Sequence, residues 1–377
     1  MFSSNQPYNI KNKFNLFDDF ERNLLHPNTI LNGRYKIEKP IFRNNCFVNY
    51  LAFDKFLNSR VIIKEFFPVD IVCRKYGSNE ILIKSEFVQL FANLSKNFIS
   101  IYKVLQKFKV SSCVVKVYYV FECNNTSYCV HELPVGLTLK KFLSNNYGEL
   151  TWNQSKFMFL ELINFFQNLH NSNILYCNLS PETIIVCDNK LKIIDFSNAI
   201  LNGKFFYKKP VLHDGYYAVE QYNNSTKLGT FTDVYSIAAV IYKSLTGTKP
   251  VNSNSRLLND NLLSPEKLNI TIPKSVSISV MSALIPSPKL RTQTMNDFYD
   301  DLTAKPREFY KSSIQKFEFF THINTIEPIK SKTISKNKNK ELSTRSLIFV
   351  TMVISASTIL FAAAIFIFIL FHDSFFK

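Results

Sequence analysis

Cysteines are the residues of this chain whose thiols could bind zinc or form disulfides. Seven of the 377 residues are cysteines. They are Cys46, Cys73, Cys113, Cys123, Cys129, Cys177 and Cys187. Their number is odd, they are scattered, and no two form a CxxC pair, so the spacing favours neither a disulfide framework nor a zinc site. We therefore expect reduced, mostly buried thiols.

Short apolar runs bounded by polar or turn residues occupy the first part of the chain. They begin at Tyr35-Lys36-Ile37 and recur at 47–53, 61–63, 114–121 and 128–130. Such runs predict β-strands. From about Leu137 the apolar residues follow helical spacing instead. The clearest examples are Phe157, Leu160, Leu162, Ile163, Phe166 and Leu169, and later Val234, Ile237, Ala238, Ile241 and Leu245. A strand-rich region thus precedes a helix-rich region.

Several blocks of sequence follow one another in a familiar order. They are RYKI (34–37), NYLAFD (49–54), VIIKEFFP (61–68), TSYCVHELPVGLTL (126–139), ILYCNLSPETIIV (174–186), LKIIDFSNA (191–199), GYYAVEQY (215–222), TDVYSIAAVIYKSLTGTKP (232–250) and PSPKLRT (286–292). Together they resemble the bacterial serine/threonine protein kinases, in particular the branch with a KEFFP-type motif. The resemblance implies an α+β, bilobal protein-kinase-like fold over 35–303, with an antiparallel sheet in the N-lobe and a helical C-lobe.

The resemblance assigns two residues to nucleotide and metal. Lys64 matches the strand lysine that pairs with the α- and β-phosphates, so ATP with Mg²⁺ is the implied cofactor. A lysine that only extends from the surface is the alternative for Lys64. Asp195 matches the aspartate that holds magnesium, or it remains as a residue of the fold alone. Both interpretations of Asp195 stay open from the sequence.

The family's glycine-rich loop is degenerate, since its three glycine positions fall on Phe42, Asn44 and Phe47. Bulky side chains there would keep bare backbone from approaching phosphates. Alignment of 98–108 with the family's third helix places Ile101 where a glutamate orients the lysine. Glu86 is the nearby substitute, although it lies far upstream for such a helix.

The family's catalytic loop is also degenerate. Its His-Arg-Asp becomes Tyr176, Cys177 and Asn178, and the downstream metal-binding asparagine becomes Thr183. An asparagine cannot accept a substrate's proton as a carboxylate does, and loss of a positioned base slows a reaction about 10²- to 10⁴-fold. The glycine that follows Asp195-Phe196 in the family is Ser197 here. These replacements predict a pseudokinase.

Three residues with scaffold roles in the family persist. Asp233 resembles the helix aspartate that hydrogen-bonds the catalytic-loop backbone. Glu220 and Arg291 resemble a buried ion pair that ties the activation segment to the C-lobe. Structural residues are therefore retained where catalytic residues are lost.

An uncharged run of 26 residues, 346–371, predicts a transmembrane helix. At 1.5 Å per residue it would span about 39 Å, against a hydrocarbon core of about 30 Å. A buried core helix is the alternative, but such helices rarely run this long without a polar face. A basic linker (304–345) precedes this segment, and a short extracytoplasmic tail (372–377) follows it. An N-terminal extension (1–34) precedes the kinase-like domain.

The net charge of +16 is concentrated in part on that linker. Lysines before a membrane span stay on the cytoplasmic side, and they attract anionic headgroups at about 1 kcal/mol each. Nucleic acid is the rival partner for the basic residues. We expect a single-pass protein of the cell membrane whose N-terminal domain is cytoplasmic, and the small residues 362–364 allow a homodimer.

Three functions remain open from the sequence. The first is a membrane-anchored pseudokinase that acts as a signalling scaffold by binding a cytoplasmic protein partner, with or without nucleotide. The second is an atypical active serine/threonine protein kinase that transfers the ATP γ-phosphate to protein hydroxyls. The third is a structural membrane protein that uses neither nucleotide nor a docking partner.

Overall fold

The computed structural model describes residues 21–108, 111–145, 149–201, 213–222 and 226–304. Its strands are β1 (Ile30–Leu31), β2 (Tyr35–Arg43), β3 (Phe47–Asp54), β4 (Ser59–Phe66), β5 (Val72–Arg74), β6 (Ile81–Ile83), β7 (Val117–Cys123), β8 (Thr126–Glu132), β9 (Leu137–Thr138), β10 (Ile174–Leu175), β11 (Ile184–Cys187), β12 (Lys190–Ile193) and β13 (Ile200–Leu201). Its α-helices are α1 (Val88–Leu105), α2 (Leu139–Asn145), α3 (Trp152–Asn171), α4 (Thr230–Thr246), α5 (Ser253–Arg256), α6 (Pro265–Leu268), α7 (Lys274–Ala283) and α8 (Met295–Thr303). Strands dominate the first half and helices the second, which confirms the predicted α+β arrangement.

A six-stranded sheet in the order β1-β2-β3-β4-β8-β7 forms the first lobe, and every neighbouring pair is antiparallel. Helix α1 packs on it through buried residues at helical spacing, among them Phe91, Leu94, Phe98 and Ile101. These residues cover about one face of the helix, as a surface helix on a sheet requires. The sheet forms one wall of the cleft described below.

The first lobe begins earlier than the predicted boundary at Tyr35. Strand β1 pairs with β2, and Leu25 is buried at 1% exposure with its N–H donated to the Tyr50 hydroxyl at 3.1 Å. A two-residue strand is too short to produce an alternating pattern in the sequence. The end of the predicted N-terminal extension is therefore part of the folded domain.

Strand β7 begins at Val117, so the predicted strand over 114–121 is wrong for its first three residues. Val114 forms an isolated parallel bridge with Ile193, and the Val115 N–H donates to the Ile193 carbonyl at 3.1 Å. This apolar stretch is buried by the crossing to β12 rather than by sheet pairing. Val114 and Val115 are apolar and buried, and their sequence therefore resembles that of a strand.

The second lobe is built around α3 and α4. Thr151 caps α3 with a capping box, because its hydroxyl accepts from Gln154 N–H at 3.4 Å while Gln154 Oε1 accepts from Thr151 N–H at 3.3 Å. Helix α4 ends at Gly247, whose φ of 68° is the left-handed conformation that glycine adopts without strain. Most side chains of α4 are buried, so this helix forms the centre of the lobe.

All seven cysteines are free thiols, and their burial varies. Cys113, Cys129 and Cys177 are buried, Cys46, Cys123 and Cys187 are intermediate, and Cys73 is exposed. The expected thiols are thus less uniformly buried than the sequence suggested.

Within residues 21–304, gaps excepted, no helix is both long and apolar enough to cross a bilayer. The predicted transmembrane segment 346–371 lies outside the described residues. So do residues 1–20, the linker from 305 onward and the tail 372–377. The membrane span and its orientation stay predictions from the sequence.

Candidate functional site

A cleft of about 710 Å³ lies between the sheet and the helical lobe. The ends of β2 and β3 and the turn between them supply Phe42, Phe47 and Asn44 to its lining, and loops of the second lobe supply Asn178 and Asp195. The structure thus brings together residues that are more than 130 positions apart in the chain. A cavity of this size suits a small organic ligand.

The roof of the cleft is closed by side chains. Asn44 Oδ1 accepts hydrogen bonds from the backbone N–H groups of Cys46 at 2.9 Å and Phe47 at 2.8 Å. Phe42 is 50% exposed, whereas Phe47 is 1% exposed and points into the lobe. Two N–H groups that could face a phosphate are therefore bonded to a side chain of the same turn.

Lys64 on β4 is fully enclosed, at 0% exposure. Its Nζ lies 3.0 Å from Asp195 Oδ1 and 3.4 Å from Ser197 Oγ, and it sits 5.1 Å from the centre of the Phe47 ring. The ammonium thus has a counter-ion and an aromatic cover. This burial excludes the alternative that Lys64 only extends from the surface into solvent.

Asp195 is the ionised partner of Lys64. Burial would raise the pKa of this carboxyl, but the Lys64 charge and hydrogen bonds from Ser197 outweigh it and lower the pKa. The Ser197 N–H donates to Asp195 Oδ1 at 3.0 Å, and the Ser197 hydroxyl donates to the same oxygen. Ser197, at the degenerate glycine position, therefore holds Asp195 in place.

Helix α1 brings aromatic residues toward Lys64. Phe98 stacks on Phe47 at 5.6 Å and on Phe66 at 5.7 Å, while Ile101 is buried in the core at 1% exposure. Glu86 precedes the helix in a short 3₁₀ turn, is exposed, and accepts from the Ser85 hydroxyl. The structure does not bring Glu86 to Lys64, because the one is in solvent and the other is enclosed.

Asn178 lies at the base of the cleft with 6% exposure. Its Oδ1 accepts a hydrogen bond from the Tyr217 hydroxyl at 2.5 Å, and its backbone carbonyl accepts from the Thr183 hydroxyl at 3.1 Å. Thr183 also donates to the Ser180 carbonyl at 3.1 Å. The side-chain oxygens of Asn178 and Thr183 are thus both hydrogen-bonded within the protein.

The predicted scaffold residues hold the same loop. Asp233 accepts from the backbone N–H groups of Tyr176 at 2.8 Å and Cys177 at 2.7 Å, and from His170 Nε2 at 2.9 Å. Cys177 has a φ of 57°, a left-handed conformation uncommon for a residue with a side chain. Asp233 thus accepts hydrogen bonds from the backbone N–H groups of Tyr176 and Cys177, where the chain adopts this conformation.

Glu220 and Arg291 meet in the core of the second lobe. Arg291 donates to the two carboxylate oxygens of Glu220 at 2.6 Å and 3.1 Å, and neither side chain is more than 2% exposed. Thr232 Oγ1 donates to Glu220 at 2.9 Å. The structure therefore brings these two predicted partners together as a bidentate pair.

The comparison with protein families decides the identity of the fold. A family model described as "Protein kinase domain" matches residues 72–311, more than half of the chain. The chain belongs to the protein kinase family. Strands β1 to β4 precede the matched residues and complete the sheet of its first lobe.

Relatives of this kinase domain include two clostridial proteins. A probable serine/threonine-protein kinase of Clostridium acetobutylicum is 24% identical over 319 residues, which cover 82% of this chain and 45% of the relative. A second one, from Clostridium perfringens, is 23% identical over 284 residues, covering 72% of this chain and 38% of the relative. This chain thus spans less than half the length of these relatives.

Other similarities are shorter or structural. Human serine/threonine-protein kinase D3 is 28% identical over 153 residues, which cover 40% of this chain and 17% of that protein. The solved structure of PpkA-294 in its apo form has a TM-score of 0.59 at 21% identity and covers 74% of this chain and 99% of its own. That likeness supports the bilobal kinase fold.

Protein kinases in general bind ATP with Mg²⁺, and the cleft of this kinase domain fits that complex poorly. Lys64 is enclosed by Phe47 and paired with Asp195. The roof N–H groups are bonded to Asn44. Among the described residues, the lining contains no lysine or arginine to face a triphosphate.

An aromatic column lies inside the second lobe of the kinase domain. Tyr176 packs edge-to-face between Phe166 at 5.6 Å and Phe196 at 5.2 Å. Tyr176 and Phe196 are both buried, at 0% and 1% exposure. The tyrosine at the degenerate catalytic-loop position therefore packs as a core residue.

Sequence reasoning missed Glu65, which lies next to Lys64 on β4. Its carboxylate accepts from Arg74 at 2.7 Å, Tyr50 at 2.9 Å and Tyr128 at 2.8 Å, and it is fully buried. Adjacent strand residues point to opposite faces, so a charged pair within an apolar strand requires two separate polar sites. The two adjacent charged residues in this apolar strand were therefore the feature of the sequence that could have indicated the site of Glu65.

Sequence reasoning also missed His131 and Tyr217. His131 is 3% exposed, and burial followed by the Lys64 charge lowers its pKa to about 4. A histidine inside the apolar run of β8 was the available signal. Tyr217 had no signal of its own, because only the fold brings it to Asn178.

Proposed function

We propose that this protein is a membrane-anchored pseudokinase that acts as a signalling scaffold through a cytoplasmic protein partner. The enclosure of Lys64 is the observation that carries this proposal. Its ammonium already donates to Asp195 and Ser197 beside the Phe47 ring, so a phosphate could compete for only one of its three N–H donors. The group that would position the phosphates is therefore largely engaged by bonds within the protein.

The base of the cleft supports the same conclusion. Phosphoryl transfer depends on positioning and charge stabilisation, with a carboxylate to orient the attacking hydroxyl. Asn178 supplies an amide at that place, and its Oδ1 already accepts from Tyr217. An incoming hydroxyl would find no carboxylate here, and one of the two lone pairs of this amide oxygen is already engaged by Tyr217.

The partner and the membrane rest on the sequence. The hydrophobic segment 346–371 would anchor the protein, and the basic linker before it would keep the kinase domain on the cytoplasmic side. We place the partner-binding surface on the kinase domain, because it is the folded part of the chain that the structure describes. Association of two copies through the small residues 362–364 is an extension of this proposal.

A phosphate-transfer assay tests the proposal. Full-length protein in detergent is incubated with radiolabelled ATP and Mg²⁺ or Mn²⁺, alone and with generic protein substrates. We expect no incorporation above that of an Asp195→Asn variant. The matched control is Asp188→Asn, a change at an exposed aspartate. Autophosphorylation that survives in Asp188→Asn and disappears in Asp195→Asn would refute the proposal.

An atypical active serine/threonine kinase is the second candidate. It is favoured by the retained contact between Lys64 and Asp195 and by the names of the clostridial relatives. In this case Asn178 would only orient a substrate hydroxyl. The candidate requires Mg²⁺-dependent ATP binding, measured as a rise in melting temperature, and no rise at millimolar ATP counts against it.

A further inference from the structure

The turn of the β3–β4 hairpin presents two adjacent apolar side chains to solvent. Phe56 is 84% exposed and Leu57 is 46% exposed. We call residues 55–58, which connect the two strands, the hairpin tip. Single exposed apolar residues are common on protein surfaces, so exposure alone indicates no site. The groups around the hairpin tip give these two residues their meaning.

Hydrogen bonds hold the hairpin tip in one conformation. Asp54 Oδ1 accepts from the backbone N–H groups of Phe56 at 2.8 Å and Leu57 at 3.2 Å. Asp54 is itself fully buried and forms a bidentate pair with Arg34, in which both N–O distances are 2.7 Å. Asn58 has a φ of 49°, a left-handed conformation that asparagine tolerates in turns. The fold therefore holds the two apolar side chains outward.

Basic side chains surround the hairpin tip. Lys36 on β2 and Arg60 on β4 lie opposite the same residue of β3, so their side chains share one face of the sheet. Both are exposed, as is Lys55 within the tip. The Arg34 guanidinium lies 5.1 Å from the centre of the Phe56 ring. We call the four residues Arg34, Lys36, Lys55 and Arg60 the basic collar.

The basic collar carries more positive charge than its ion pairs compensate. The acidic residues beside it, Asp54 and Glu38, are each paired with one of its two arginines. Within the part of the chain that the structure describes, neither Lys36 nor Lys55 forms an ion pair. Two positive charges thus stay uncompensated next to the apolar side chains. A partner for this surface must offer negative charge and an apolar interior.

An anionic bilayer has both properties. Phenylalanine and leucine side chains enter the boundary between headgroups and acyl chains, while lysine and arginine attract anionic headgroups. An acidic protein would satisfy the same cations, but it would also need an apolar pocket shaped to receive a protruding turn. A bilayer requires no such pocket, because its interface accommodates an apolar tip of any shape.

The length of the chain also favours a bilayer. Residues 305–345 separate the described kinase domain from the hydrophobic segment 346–371, and a chain of that length reaches at most about 140 Å. An anchored kinase domain could therefore present any of its faces to the membrane. The bilayer would be within reach of every anchored copy, whereas an acidic protein would have to be recruited.

We propose that the hairpin tip inserts Phe56 and Leu57 into the interface of an anionic bilayer, with the basic collar bound to lipid headgroups. The inference rests on the membrane attachment in the proposed function, and it names the face of the kinase domain that meets the membrane. This second contact would give the tethered domain a fixed orientation at the bilayer.

Tryptophan fluorescence of the full-length protein in vesicles tests this inference. The chain has one tryptophan, Trp152, which is 8% exposed and gives the background signal of the wild type. Phe56→Trp adds a reporter at the hairpin tip, and lipids with brominated acyl chains quench it on contact. With phosphatidylserine in phosphatidylcholine vesicles, the added emission should fall by about half or more, and without phosphatidylserine by less than about a fifth.

Phe157→Trp is the matched control. Phe157 on α3 is 69% exposed, and the Lys156 ammonium lies 4.9 Å from the centre of its ring, so it resembles Phe56 in exposure and in its nearby cation. Its added emission should be quenched little, and equally, in both kinds of vesicle. If Phe56→Trp does not fold, Leu57→Trp gives the same measurement.

Removal of collar charges tests the role of the cations. Lys36→Gln combined with Lys55→Gln, in the Phe56→Trp background, should reduce the quenching in anionic vesicles by about twofold or more. Lys267→Gln combined with Lys274→Gln removes two exposed lysines from the helical lobe and should leave the quenching unchanged. Molar salt should act as the loss of collar charges does, because it screens the headgroups.

Three results would overturn the inference. They are equal quenching of Phe56→Trp and Phe157→Trp, quenching of Phe56→Trp that is independent of phosphatidylserine, and no quenching of Phe56→Trp in anionic vesicles. In the last case an acidic protein would be the remaining occupant. Failure of the pseudokinase proposal would instead appear as phosphate transfer from ATP, and failure of the anchor as release of the full chain by carbonate. These failures are therefore distinguishable.

Discussion

At the scale of single residues, the cleft consists of groups that bond one another instead of a substrate. Lys64 bonds Asp195, Asn44 bonds the roof backbone, and Asn178 accepts from Tyr217. Each of these contacts satisfies a polar atom that a working transferase would leave for nucleotide or hydroxyl. The replacements at these positions therefore come with internal hydrogen bonds in the cleft.

The pair of Lys64 and Asp195 predicts an asymmetric response to mutation. Asp195→Asn leaves an enclosed ammonium without a counter-ion and should lower the free energy of unfolding by about 3–5 kcal/mol. Lys64→Met leaves a carboxylate whose side chain is 22% exposed to water, so its effect should be smaller. The double variant should be more stable than Asp195→Asn alone. Urea unfolding of the four proteins measures these values, and additive effects would contradict the pairing.

His131 predicts a pH dependence of stability. Burial lowers its pKa to about 4, whereas an exposed histidine titrates near 6.5. Below pH 6.5 the unfolded chain takes up a proton that the folded chain refuses, so the free energy of unfolding falls between pH 6.5 and 4 and is unaffected above that range. The contribution of this residue amounts to about 3 kcal/mol.

His131→Leu should remove this part of the pH dependence. The measurement is urea unfolding of wild type, His131→Leu and His26→Leu at pH 7, 6 and 5. The difference between wild type and His131→Leu should change with pH, and the exposed-site variant His26→Leu shows the effect of replacing a histidine outside the core. Parallel curves for all three proteins would contradict the low pKa.

At the scale of elements, the segment around residues 215–222 is attached to its surroundings by side-chain bonds. Tyr217 reaches Asn178, Gln221 Nε2 donates to the Cys177 carbonyl at 2.9 Å, and Glu220 pairs with Arg291. Its backbone also accepts from α4, where the Ser236 hydroxyl donates to the Tyr216 carbonyl at 2.9 Å. The segment is therefore fixed against both the catalytic-loop position and the central helix.

Breaking the Glu220 and Arg291 pair should destabilise the helical lobe. Arg291→Met leaves a buried carboxylate with the Thr232 hydroxyl as a remaining donor, and we expect a loss of about 3–5 kcal/mol in the free energy of unfolding. The control is Lys75→Met in the exposed pair with Glu80, which should change stability by less than about 1 kcal/mol. Similar losses in both variants, by urea unfolding, would contradict the role of burial.

At the scale of the whole molecule, a kinase domain is followed by a basic and then an apolar stretch. The net charge of +16 includes the lysines of the linker, which suit an anionic membrane surface. A tether of this kind would confine the kinase domain to the membrane and raise its effective concentration toward partners held there. Membrane attachment is thus the property that would give a non-catalytic domain its signalling context.

Removal of residues 346–371 should release the protein from membranes. We expect the full chain to remain in the membrane pellet after an alkaline carbonate wash, because a transmembrane helix formed by the uncharged run of 26 residues would insert irreversibly. A variant that lacks the segment should appear in the supernatant. Proteolysis of the kinase domain in inverted but not in right-side-out vesicles would check the orientation. Release of the full chain by carbonate would contradict a membrane span.

The sequence by itself determined the fold class and the order of the elements. Short apolar runs and, later, apolar residues at helical spacing are local features, so the strands β2 to β4 and the helices α3 and α4 could be predicted. The blocks around Lys64, Asn178 and Asp195 also indicated which chemical groups were present and which were replaced. Such information resides in residue types and their order.

The tertiary structure alone decided what those residues do. Lys64 and Asp195 are 131 positions apart, and only the packing of two lobes shows that they bond each other under Phe47. Likewise, strand register and burial leave His131 Nε2 without a partner. Hydrogen bonds and desolvation depend on distances between segments that are remote in the chain, and sequence patterns carry no such distances.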